Sequence, residues 1–571
     1  MTPSRTLLSL IVSFTPFASA FAQEAEDFPR LARRSMTSFT DSLRKQPAYN
    51  STAWHGGVMV GNSSQGRILP SSFFTYRNGK WELTGELSFD AADLSRSRDE
   101  VSKTDAGAQK TTDTDTRNRY EHEDLKFHAN YFSTERDIIS FDVFQKLHHD
   151  RTLDSSIQSG TDDKGDALES KYEEQHRKVR DFNFGALAEY THKFEPGGSL
   201  ASRIYFKYDN KPTDVTSETW GKSSAQQVAS EHQSYASADP KAQIVYRSPV
   251  WHGFSFGLRE KVGMMNMRID DTASNFHYDV RESLTSAGAD YKVGGFSLNA
   301  GAGYEIFHHD IIDHVNPDVA HTYYDWLYNG SAKYAFNKRN TLSASYSHTI
   351  NRPSYTQLYP FVHIGSSIAA WVVGNPSLQP SITEQWQAKY TYKITPLTLN
   401  AIVTYKTTED DITRISTYNS DADRWVKTWV NDATYSTLRM ALEGELRLGR
   451  LSMTMGAHAQ WLHYDGENIT ADQAWSYSFK IRPQLSLPRD WMLACVVLYN
   501  GREVHLHEYN RGYTYTALRL YKQLGHWGLY AFVQDILRSD HTKVLLNNET
   551  TIVSTTDYNA RALILGCSYS F

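Results

Sequence analysis

Cysteine is nearly absent. Two residues in 571, Cys495 and Cys567, leave neither a disulfide framework nor a four-cysteine zinc site available. Long apolar runs are missing too: after the N-terminal stretch none approaches about 18 residues, which excludes a chain that crosses a bilayer as helices. Neither charge dominates, since Lys+Arg 59 against Asp+Glu 65 gives a net charge of −6 and no basic footprint for nucleic acid. No nucleophile elbow, phosphate loop, paired-carboxylate motif or zinc-protease helix occurs, so neither an enzyme nor a cofactor is expected.

Aromatic residues, by contrast, are abundant. They reach 13%, from 26 Phe, 35 Tyr and 13 Trp, although the mean hydropathy is only −0.55. A membrane barrel reconciles the two, because its strands alternate apolar and polar residues and never raise the average. The first residues set the compartment. Arg5, the apolar stretch Leu7 to Phe17 and the small-residue ending Ala20-Phe21-Ala22 fit a secretory signal peptide over residues 1–22, cleaved after Ala22.

One pattern runs from Trp54 to the C-terminus. In Trp81-Glu82-Leu83-Thr84-Gly85-Glu86-Leu87-Ser88-Phe89-Asp90 every odd position is apolar or glycine and every even one polar, the period of a strand with one face on apolar material and one on water. The same period recurs in Phe296–Ile306 and Leu451–Trp461. These segments are about twice the five or six residues of a soluble sandwich strand and suit a tilted strand crossing a bilayer. Short turns fall at Arg77–Lys80, Ser133–Asp137, Glu195–Ser199, Ser248–Gly253, Lys292–Gly295, Asn337–Asn340, Thr395–Leu397, Gly449–Arg450, Pro488–Asp490 and Gly525–His526. Between them lie longer polar segments, expected as loops: Leu94–Asn118, His149–Arg180, Tyr208–His232, Thr349–Pro380 and Leu537–Asp557. Ten short turns, with both termini at the periplasmic end, predict an all-β antiparallel up-and-down transmembrane barrel of about 22 strands over residues 54–571.

The last strand, Leu563–Phe571, is apolar at odd positions and ends on an aromatic, so Tyr569 and Phe571 are expected to form the signal that the barrel assembly machinery reads. An edge strand of a soluble sheet with this pattern would be an aggregation hazard. Cys495 and Cys567 fall about three strands apart, near 14 Å at about 4.8 Å per strand, and cannot bridge.

Asn351-Arg352-Pro353-Ser354-Tyr355-Thr356-Gln357-Leu358-Tyr359-Pro360-Phe361, followed by Gly374-Asn375-Pro376-Ser377-Leu378-Gln379-Pro380, resembles the barrel of the TonB-dependent-receptor-like outer membrane β-barrel family. Val533-Gln534-Asp535-Ile536-Leu537 is similar to the family's penultimate-strand motif, with Leu537 and Arg538 standing where an aromatic and an asparagine usually follow. The resemblance implies a receptor-like transport barrel of 22 strands in the outer membrane. Such receptors usually carry an N-terminal plug and a coupling box. Residues 23–53 have room for neither, so the lumen is expected to be filled by loops or by a partner rather than left open.

Two groups are candidate sites. His308, His309, Asp310 and His314, with Asp313 beside them, have the donors that suit zinc, copper or nickel, or are solvated loop residues. His148-His149-Asp150 and His505-Leu506-His507 are lesser groups of the same kind. Tyr355, Tyr359, Phe361 and Trp371 can stack on a sugar or aromatic ligand, or serve as interface-belt aromatics. Ligand uptake across the outer membrane is the expected function. A non-transporting surface-binding or structural barrel, or an open pore, is the alternative. Membrane lipid, the assembly machinery and a separate plug-bearing or surface lipoprotein are the expected partners. An epitope inserted at Asn78-Gly79 is expected to stay hidden on intact cells while one in Leu94–Asn118 is labelled; surface labelling at Asn78-Gly79 would invert this topology.

Overall fold

This computed structural model describes residues 53–63, 67–104, 107–195, 197–221, 226–271, 275–313, 319–358, 370–419, 424–466, 473–504, 508–537, 541–547, 550–557 and 561–570. The expected signal peptide, nearly all of segment 23–53, and His314, Tyr359, Phe361, His505, His507 and Phe571 lie outside these residues. Chain packing separates a unit of Met1–Ala53 with Arg77–Gly79 from one of Trp54–Tyr76 with Lys80–Phe571. The second unit is the barrel.

Its strands form one sheet, in which 22 strands make an antiparallel ring. The ring closes where Ala53–Ser63 pairs with Ala562–Ser570, Gly57 opposite Ser570 and Ser63 opposite Ile564. All ten short turns stand where the sequence places them, from residues 79–80 to 525–526. Gly294, Gly449 and Gly525 have φ of 54°, 55° and 59°, the left-handed values that tight hairpins require.

Alternation along each strand sorts residues between two solvents. Trp81 and Leu87 are 45% and 51% exposed on the outer face, whereas Glu82, one position on, is 4% exposed and faces inward. On Val319–Ala335 the exposed rings of Tyr324, Trp326 and Tyr328 sit toward one end and Tyr334 toward the other. Tyr324 and Tyr334 are ten positions apart. At about 3.3 Å per residue and a tilt near 40° that spans about 25 Å, the height of the apolar band between two aromatic girdles.

The long connections differ from expectation. Leu94–Asn118, His149–Arg180 and Tyr208–His232 are mostly strand, not loop. Trp81–Thr104 and Gln109–Phe132 have 24 residues each, Asp137–Thr161 has 25, and Lys171–Lys193 and Ser199–Gly221 have 23. Crossing the bilayer needs only about 9 to 11 residues, so the wall rises well beyond the membrane. There both faces meet water, the apolar alternation disappears, and a polar strand reads in sequence as a loop. The connection Leu537–Asp557 is likewise a hairpin, His541–Asn547 with Thr550–Asp557, whose second strand pairs with the outer part of Trp81–Thr104.

At the closure Gly61 and Gly566 lie directly opposite each other, and the ring of Tyr530 covers both. A Cβ at Gly566 would overlap that ring. Replacing Gly566 by Val is therefore expected to cost about 1 to 3 kcal/mol, read as a lower urea midpoint in detergent. Gly456 has open space around it, and Gly456→Ala should stay within about 0.5 kcal/mol of the parent. Equal responses at the two positions would refute close packing at the seam.

Candidate functional site in the lumen wall

From Trp81 to Ala335 the inward face is a chain of matched charges. Asn130 Nδ2 donates to Glu82 at 3.2 Å, and Ser140 donates to Asn130 at 2.7 Å. His128 meets Asp142 at 2.6 Å, His148 meets Asp124 at 3.1 Å, and His122 meets Asp150 at 2.9 Å. The rings of His122 and His148 stack with centroids 4.0 Å apart. Further round, Lys241 Nζ lies 3.0 Å from Asp239 and 3.3 Å from Glu282, which Lys261 also reaches at 2.9 Å. Each of these lysines lies against a carboxylate and each of these histidines bonds one, as a lumen walled by a low-dielectric sheet requires.

Segment 352–380 joins Asn340–Asn351 to Ser381–Ile394, and its described parts, residues 352–358 and 370–380, pack against the inner face instead of extending the wall. Arg352, 10% exposed, fixes its start. The guanidinium reaches Glu305 at 2.7 Å and Asp325 at 2.6 Å, and its plane lies 4.6 Å from the Phe307 ring centroid. These are charge-assisted contacts backed by a cation–π contact. Ser354 then opens the single helical turn Tyr355–Leu358, its carbonyl accepting from the Leu358 amide at 3.1 Å. Leu358 and Leu378, 0% and 1% exposed, pack with Met267, Ile269, Phe276, Tyr278, Val280 and Ile311 from the wall. The far end is stitched to Arg424–Leu448: Asn375 Nδ2 donates to the Trp429 carbonyl at 2.9 Å, and the Gln379 amide donates to Asn431 at 2.8 Å. Ala370–Val372 also runs parallel to Trp425–Lys427.

Beside this segment the wall forms a recess of about 600 Å³. Lys406 and Arg439 line it with Trp429, Tyr435 and Tyr464, and neutral polar groups such as Gln385 and Gln460 fill the gaps. Lys406 Nζ donates to the Tyr435 hydroxyl at 2.8 Å and sits 5.2 Å from the centre of that ring. Asp411 and Glu503 also line it. The arrangement is that of a polar ligand site: aromatic surface, fixed cations and uncharged hydrogen-bonding groups.

The candidates named from sequence separate. Alternation sends His308 and His309 to opposite faces. His308 bonds Asp310 at 2.9 Å and Thr322 at 2.8 Å, while His309, 1% exposed, lies inward among Tyr278, Phe307, His321 and Tyr323. Among the described residues of this group, His308 and Asp310 are the pair in contact. Tyr355 stacks on Tyr235 at 5.7 Å, and burial pushes its phenol up to about 12, so it remains a neutral packing ring. Of Trp371 the backbone alone is described, in Ala370–Val372. Tyr569 is at the closing strand, its ring 4.9 Å from that of Trp527. Sequence reasoning missed Arg352, Glu305 and Asp325, whose meeting needs the strand register, and it missed the recess, assembled from six strands. Arg352 did stand inside the motif that carried the family resemblance.

The model of the outer membrane protein beta-barrel family matches residues 252–570. Among solved structures the chain is similar to the copper transporter OprC, at 10% identity and a TM-score of 0.65, covering 91% of this chain and 81% of that one. It is similar to the alcaligin outer membrane receptor FauA of Bordetella pertussis, at 10% identity and TM-score 0.56 over 91% of this chain and 76% of that one. The FrpB iron transporter of Neisseria meningitidis gives 10% identity and TM-score 0.58 over 91% and 82%. No curated protein matches the chain by sequence. At such identity these likenesses show the fold.

Arg352→Ala leaves Glu305 and Asp325 largely buried without their cation and is expected to cost about 2 to 3 kcal/mol. The loss should appear as faster hydrogen exchange at Leu358 and Leu378 with little change in the ring strands. Adding Glu305→Gln should recover part of it. Unchanged exchange at both leucines would remove Arg352 as the anchor.

Proposed function

The chain belongs to the outer membrane protein beta-barrel family, and from that premise we propose that it passes a polar solute across the outer membrane through its lumen. Segment 352–380 is the constriction in this reading. What supports it is the Arg352 anchor: a chain segment is drawn inside a 22-stranded ring and held on the wall by two carboxylates and a buried apolar cluster. Barrels of this strand number are wide enough to need such filling. The recess beside the segment supplies a waiting site on the same path.

The tall outer wall favours a second reading, a barrel whose surface binds a partner and transports nothing. Strands of 23 to 25 residues present far more outer surface than a passage needs. A separate plug-bearing or surface lipoprotein, assembly through Tyr569 and Phe571, and cleavage after Ala22 complete the proposal. Purified full-length protein in planar bilayers separates the two readings. The parent should conduct weakly, and a variant with Ser354–Gln379 replaced by a short glycine-serine linker should conduct several times more. Equal conductance of the two would rule out this segment as the constriction and favour the surface-binding reading.

A further inference from the structure

The inward face is not uniform. On strands Leu397–Asn419, Arg424–Leu448, Gln473–Leu487 and Tyr513–Leu524, the outward rows are marked by exposed Tyr405, Leu442, Tyr477 and Leu518. Alternation then turns Lys406, Arg439, Lys480, Arg482 and Arg519 inward. Heights follow from the distance to each strand's short turn. Lys406 and Arg439 stand nine residues above theirs, Lys480 seven, and Arg482 and Arg519 five. With about 3.3 Å per residue and a tilt near 40°, these are about 23, 18 and 13 Å, a descent from the outer girdle to mid-membrane.

Opposing charge on this face is sparse. Glu445 is tied to Arg447, which leaves Glu443 as the other inward carboxylate at this depth. Among the described residues no carboxylate comes within ion-pairing distance of Lys406, Arg439 or Arg519, whereas Lys207, Lys241 and Lys261 of the other half lie on Asp209, Asp239 and Glu282. A row of cations inside low-dielectric walls focuses its field into the lumen and raises the local concentration of anions there. The recess at its upper end sets Lys406 and Arg439 beside Trp429, Tyr435 and Tyr464, with Arg414, Asp411 and Glu503 also in its lining, so three cations there stand against two carboxylates.

We propose that this inner face is a binding path for a solute carrying two or more negative charges, entered at the Lys406–Arg439 recess and continued downward by Lys480, Arg482 and Arg519. It rests on the uptake reading above and adds the charge class of the solute. Each cation supplies a charge-assisted hydrogen bond, and the spacing lets a multivalent anion exchange one donor for the next.

The test is calorimetric titration of citrate into detergent-purified full-length protein at low ionic strength. Citrate should bind, weaken as salt rises, and bind about fivefold or more weakly to Arg439→Gln and to Arg519→Gln. Arg268→Gln, an outward exposed arginine paired with Asp270, should leave affinity unchanged, and spermidine and sucrose should give no heat. Lys406→Gln is the second probe should either arginine variant lose β-sheet content by circular dichroism. Absence of citrate binding to the parent, or equal affinity in all folded variants, overturns the proposal. Citrate binding with unaltered conductance of the shortened-segment variant keeps the anion path and discards the constriction; the opposite pair of results does the reverse.

Discussion

In hydrocarbon no water waits to accept or donate a backbone hydrogen bond, so a sheet that enters it must have no edge. Everything else in this molecule is arranged around that demand. The first strand and the last meet, and at one point of the meeting Gly61 stands against Gly566, which leaves room for the Tyr530 ring over the joint. Once the ring is closed, each strand has one row for lipid and one for the lumen, and the two rows obey different rules. The lipid row is aliphatic between aromatic girdles. The lumen row is polar, and its charges must find partners or attract them.

That second requirement divides the wall. From Trp81 to Ala335, carboxylates and cations are interleaved across neighbouring strands and neutralise one another. On the inward rows of the strands from Leu397 to Leu524, at membrane depth, Lys406, Arg439, Lys480, Arg482 and Arg519 outnumber the carboxylates. Segment 352–380 lies at the border, and Arg352 satisfies two carboxylates of the first half at the point where the chain leaves the wall. The same residue thus completes the charge matching of one side and sets the position of a segment that borders the recess on the other.

Much of this was legible in the sequence, for a physical reason. Tight hairpins need particular backbones, so Asn78-Gly79, Gly294-Gly295 and Gly449 announced themselves, and the turn spacing yielded the strand number. Trp81–Asp90 showed its faces because lipid and water make opposite demands on neighbouring residues. Where both faces are wet the demand vanishes, which is why Leu94–Asn118 read as a loop although it is nearly all strand. Pairwise contacts across strands were out of reach: Arg352 meets residues 27 and 47 positions away, and the cationic row joins four separate strands. Within the histidine group, His308 and His309 are parted because adjacent residues on a strand point to opposite sides.

The ladder between Asn340–Asn351 and Ser381–Ile394 is complete up to the pair Asn351 and Ser381, directly beneath the inward-folded segment. The described residues 352–358 and 370–380 lie outside that ladder. The segment is held to the wall, in its described parts, by the Arg352 anchor, the Leu358 and Leu378 cluster and the bonds to Arg424–Leu448, so releasing those parts breaks these contacts and leaves the ladder of the ring paired. Its stability can be tuned by a few residues over several orders of magnitude in open population while the ring keeps its full resistance to unfolding. A wall whose ladder is continuous and an inner segment held by separable contacts are thereby built from one chain.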